Sequence, residues 1–158
     1  MQPRHFFSVS PIIALFALLL SPLPAHAATA SQLETEAASI VTDMLATISG
    51  PPDQISPHLT ELYAPAVTVA GRVISRDAVI NLALRNKGAG HSTATFTLDP
   101  SSTQVACVVE TGFCTVTGTV LVSQPGTPAL LPLPHANRWL VQFGSQQPPF
   151  RGVIIGQN

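Results

Sequence analysis

From residue 31 onward the apolar side chains recur at helical spacing. Leu33, Ala37, Ile40, Val41, Met44, Leu45 and Ile48 fall on one stripe, with Glu36, Ser39, Asp43 and Thr47 opposite. Ser31, with Glu34 three residues on, has the pattern of a capping box, and Gly50-Pro51-Pro52 stops the helix. A short second helix is expected through "PHLTELY", with Pro57 near its first turn and Pro65 at its end. "VTVAG" then reads as a strand from Val67 to Ala70 with a turn at Gly71, and "RVIS" returns the chain. Ser75 can cap a third helix, "RDAVINLALRNKG". Asp77 in its first turn, and Arg85 and Lys87 in its last, suit the helix dipole, and Gly88 ends it.

Beyond residue 90 the period changes from helical to alternating. In "HSTATFTLD", Ala94, Phe96 and Leu98 share one face and Thr93, Thr95 and Thr97 the other. "TQVACVV" and "FCTVTGTVLV" form a hairpin whose turn is Val109 to Gly112. "ANRWLVQFGS" puts Trp139, Val141 and Phe143 on one face, and "FRGVIIG" is a last strand. The proline-rich stretch from Gln124 to Ala136 reads as an extended loop. The expected class is α+β, with helices first and a mostly antiparallel sheet after them.

The N-terminus departs from this pattern. A basic start at Arg4 and His5, the apolar run Phe6 to Leu20, and Ala25-His26-Ala27 follow the order of a secretory signal peptide. The expected organisation is a leader at 1–27 and one domain at 28–158, periplasmic or secreted, with no membrane association after processing. The 158 residues suffice for one domain, and 9% of them are charged. The net charge of −1 and the scattered basic residues Arg72, Arg76, Arg85, Lys87, Arg138 and Arg151 argue against a nucleic-acid surface. In an oxidising compartment the two cysteines favour a disulfide, and a symmetric hairpin sets Cys107 directly opposite Cys114.

The stretch "LYAPAVTVAGRVISRDAVI", in this order of elements, resembles the NTF2-like (SnoaL-like) superfamily, and "CVVETGFCTVTG" resembles the cysteine hairpin of its periplasmic members. The resemblance implies a cone of three N-terminal helices on a curved sheet. It departs at Ala66, where members often carry an acid. Enzymes of this fold use inward Asp, His or Tyr inside the cone. Here Asp43 falls on the polar helix stripe, Asp77 on a helix start, Asp53 in a loop, Asp99 before Pro100 and Glu110 in the hairpin turn. Tyr63 and His91 are the weak catalytic candidates that remain. Tyr63, Phe96, Trp139 and Phe143 are the candidate walls of an apolar ligand pocket. The histidines lack metal-ligand spacing, so no metal and no cofactor is expected.

The reading favours a non-catalytic domain that binds a small apolar ligand or a protein. The alternatives are a small acid/base enzyme (isomerase, dehydratase or hydrolase type) and a structural envelope protein. Strands with apolar or Thr residues on both faces, ending in Val153-Ile154-Ile155, also point to a homodimer through the sheet, unless the loop Pro125 to Pro134 covers that face.

Overall fold

The computed structural model describes residues 28–88, 93–126, 131–132, 137–145 and 149–158. The expected leader, His91 and most of the proline-rich loop lie outside the described residues.

Helix α1 spans Ala30–Ser49 and buries Leu33, Ala37, Val41, Met44 and Leu45, the stripe read from the sequence. Its cap is Thr29, not Ser31. The Thr29 hydroxyl accepts from the Gln32 amide at 3.2 Å, and the Gln32 side chain accepts from the Thr29 amide at 2.9 Å. Ala28 and Leu33, the residues flanking this box, are both buried in the core, as in a hydrophobic staple. A start at Ser31 would not position Ala28 in this way. Helix α2, Pro52–Leu62, begins five residues before the expected point. The pre-set φ of Pro52 suits the first helical position. Ile55 and Leu59, four apart, then hold one buried face, while Pro57 lies exposed inside the helix.

Strand β1 runs Tyr63–Val69, so Pro65 lies inside it. The pairing of β1 with strand β9 (Gly152–Gln157) shifts register between Tyr63 and Thr68, and such an irregularity tolerates a residue with no N–H. β2 is Arg72–Ser75, closed against β1 by the pair Val69 and Arg72. Ala70, expected in the strand, instead forms the two-residue turn with Gly71. Both have positive φ, 47° and 77°, the backbone of a type I′ hairpin turn. Helix α3 spans Arg76–Gly88, and Ser75 Oγ accepts from the Ala78 amide at 3.2 Å.

β3 is Thr95–Leu98. β4 (Gln104–Val108) and β5 (Phe113–Gly118) form the expected hairpin, with Cys107 directly opposite Cys114 and disulfide-bonded to it. The run "FCTVTGTVLV" is not one strand. After Gly118 the Thr119 amide bonds Ser102 Oγ and its carbonyl accepts from the Asp99 amide. The chain there leaves the β4–β5 ladder and continues as β6, Val120–Ser123. Within the proline-rich stretch Leu131–Pro132 forms a two-residue strand, β7, where only loop was expected. β8 is Asn137–Phe143, with Trp139, Val141 and Phe143 buried.

One sheet has the order β2-β1-β9-β8-β5-β4 and a smaller one the order β3-β6-β7. Among the described residues all strand pairings are antiparallel except that of β1 with β9. α1 packs on β3, β4, β5 and β9, α3 on β1, and α2 on both other helices. The α+β class, with three helices against a mostly antiparallel sheet, is the arrangement that the resemblance implies.

Candidate functional site

The helices meet the sheet incompletely at one end, where a cavity of about 620 Å³ remains. Met44, Leu45 and Ile48 of α1, Leu59 of α2, and Val79, Leu82 and Ala83 of α3 form its helical wall. Phe96, Val120, Val122 and Trp139 form the opposite wall. These apolar residues follow from the periods read in the sequence. Helical spacing turns Met44 and Ile48 to the same side, and alternation turns Trp139 inward with Val141.

The polar lining is mostly amide. Asn86, Gln124, Asn137, Gln157 and Asn158 contribute amides, joined by Lys87 and Tyr63. All eight Asp and Glu of the chain lie among the described residues, and none lines the cavity.

Tyr63 is 3% exposed, and its hydroxyl donates to Gln157 Oε1 at 2.7 Å. Burial pushes the phenol well above its ordinary range, so it stays protonated. A buried hydroxyl has one proton to place, and Gln157 Oε1 receives it. That orientation leaves the Gln157 NH₂ without a partner among the described residues.

Lys87 is 5% exposed although it bears a charge. Its Nζ donates to Ser49 O at 2.8 Å and Ile48 O at 3.3 Å, carbonyls at the end of α1. The negative end of that helix suits a cation. Ser49 Oγ in turn accepts from the Phe96 amide at 2.8 Å and donates to Leu45 O at 2.7 Å. One polar cluster thus ties α1, α3 and β3 together beside the cavity.

Of the candidate pocket residues, Tyr63, Phe96 and Trp139 meet at this cavity. Phe143 does not. It is buried elsewhere along β8, edge-on to Phe150 with ring centroids 6.3 Å apart, and beside Gly152. The bulge in β8–β9 pairing between Leu140 and Val141 separates the surroundings of Trp139, opposite Gln157, from those of Phe143, opposite Gly152. His91 lies outside the described residues. Asp43 and His58 line a separate groove of about 380 Å³ between α1 and α2, with Glu61 and Gln54. No group of three or more His, Cys, Asp or Glu suited to a metal occurs among the described residues. Asp99 holds a turn, its carboxylate accepting from the Ser101 hydroxyl at 2.8 Å and the Ser101 amide at 3.0 Å, and these bonds lower its pKa.

Sequence reasoning passed over Lys87 and Gln157. Lys87 was assigned to the dipole of its own helix, yet it stands eight residues after Val79 and four after Ala83, on the inward stripe. Gln157 had no such signal, because the β8–β9 bulge decides which way it faces.

No protein-family model matches the chain. No match was found among curated proteins. Among solved structures, one described as "Rd1NTF2_04 with long sheet" aligns over 78% of this chain and 96% of its own, at 13% identity and a TM-score of 0.42. A likeness that loose has no bearing on function.

Proposed function

We propose that this chain is an exported, NTF2-like binding module that takes a small, mainly apolar ligand into the cavity and performs no chemistry on it. The observation that carries the reading is the cavity itself, about 620 Å³ with aliphatic and aromatic walls and a few convergent amides. That size and mixture are typical of small-molecule sites. The three-helix and sheet order supports the NTF2-like assignment. The Cys107–Cys114 bond suits an oxidising compartment and so supports export. Burial that keeps Tyr63 protonated speaks against it as a phenolate base, and its hydroxyl is engaged with Gln157 Oε1.

Trp139 is the chain's single tryptophan and lines the cavity, so its fluorescence reports occupancy directly. Titration with a panel of apolar small molecules is expected to shift that emission and raise the melting temperature together. Ala83→Phe, which fills the cavity from α3 and leaves Trp139 the single tryptophan, should abolish both responses. A panel without response, or binding indifferent to the filled cavity, would refute the reading.

A second copy is the proposed occupant of the outer face of the large sheet. The helices cover the opposite face, and the strand registers place Val73, Thr68, Val153, Leu140, Phe113, Thr115 and Val108 outward. Val73 is 74% and Val108 49% exposed. On this face Arg138 is the single charged residue among the described strand positions. Sedimentation at micromolar concentration is expected to give a dimer that Val73→Lys with Leu140→Lys dissociates. A wild-type monomer would exclude it.

A further inference from the structure

The cavity has one feature that a purely apolar guest leaves unanswered. Lys87 is 95% removed from solvent and carries three N–H donors, of which two reach Ser49 O and Ile48 O. The third has no protein partner among the described residues, and Lys87 pairs with none of the eight Asp and Glu side chains. The end of α1 offers roughly half a negative charge, which compensates the ammonium only in part. A buried cation short of a counter-charge, in the wall of a cavity with no side-chain carboxylate, is electrostatically complementary to an anion. We propose that the guest is an apolar carboxylic acid, its carboxylate on Lys87 and its apolar body toward Phe96 and Trp139.

A role in capping α1 accounts for the two carbonyl bonds. It leaves the third N–H of the ammonium, in the cavity wall, for a guest. Asn86 lines the same cavity and adds a neutral polar group to it. The proposal rests on the binding reading above, and matched ligands separate the two.

The test uses pairs that differ only in charge, octanoate against octanamide and naphthylacetate against naphthylacetamide, titrated by calorimetry and Trp139 fluorescence at pH 7. The acids are expected to bind at least about tenfold tighter than their amides. Lys87→Met should erase the difference, and Lys87→Arg should keep it. The wild-type comparison needs no variant, so it stands even if Lys87→Met fails to fold. Equal binding of acid and amide would overturn the proposal and leave a neutral-ligand module intact. Binding of neither member of any pair would overturn both.

Discussion

Tyr63 offers a test of the buried polar frame that needs no ligand. Tyr63→Phe removes one oxygen and leaves Gln157 Oε1 without the donor now 2.7 Å away. The net value of such a bond is about 1 kcal/mol, and the stranded acceptor adds a similar amount if it stays dry. Gln157 is half-buried at the cavity, so water relieves part of that second cost. The expected loss is therefore about 1 to 2 kcal/mol at pH 7, seen as a fall of roughly 3 to 10 °C in melting temperature. The pH dependence sharpens the test. A phenol whose folded pKa lies above its unfolded value of 10.0 favours folding fully below that value, and the advantage is lost as pH rises past it. Wild type should lose about 1.4 kcal/mol for each pH unit above 10 through this residue alone. The Phe variant lacks that term, so its deficit should narrow and then reverse. Because the chain has one tyrosine, absorbance of the phenolate follows the group without ambiguity. A native protein whose tyrosine ionises near 10 with its fold intact would refute the reasoning, as would a stability gap independent of pH.

Reduction of the Cys107–Cys114 bond, which spans seven residues in sequence, is expected to cost about 2.5 kcal/mol in the loop-entropy account, measured by urea unfolding with and without reductant. Thiol titration of the denatured, unreduced protein should find no free cysteine. Thr29→Ala should cost about 1 kcal/mol as the loss of a helix cap, while Ser31→Ala should change stability by no more than a few tenths; the reverse order would restore the Ser31 cap. Gly152→Ala would set a methyl 2.6 Å from Ile40 Cδ1 and 2.7 Å from Phe143 Cε1, so a loss of about 1 to 3 kcal/mol is expected by chemical denaturation, and an unchanged midpoint would show that the Phe143 ring yields freely.

The parts legible in the sequence are those governed by periodicity over several turns or strands. The inward stripe of α1, the hairpin pairing Cys107 with Cys114, and the common face of Trp139, Val141 and Phe143 are all of that kind. Local end signals were ambiguous where two solutions existed. Thr29 and Ser31 each have an acceptor three residues on, and burial of Ala28 favours the first. Pro57 looked like a helix start because a proline usually is one, but the buried pair Ile55 and Leu59 extends the helix across it. The switch of sheets at Thr119 depends on partners Ser102 and Asp99, which no pattern within β5 and β6 reveals. At the cavity, the inward turn of Phe96 and Trp139 was legible, and the orientation of the polar groups was not. Lys87 is oriented by the end of a different helix, and Gln157 by a bulge that adds one residue to β9.

The position of β9 bears on the order in which the molecule can assemble. β9 follows every other described strand in sequence, yet it lies between β1 and β8 in the large sheet. The hairpin of β1 and β2 therefore has no strand of its own sheet to join, beyond its internal pairing, until residues 152–157 have arrived. Nascent chain lacking them would leave two half-sheets with open edges, and Tyr63 without Gln157. Closure of the sheet must link positions about 90 residues apart, as the 94-residue span of the Tyr63–Gln157 bond shows. Such separation favours slow folding that is completed only after the whole strand is available.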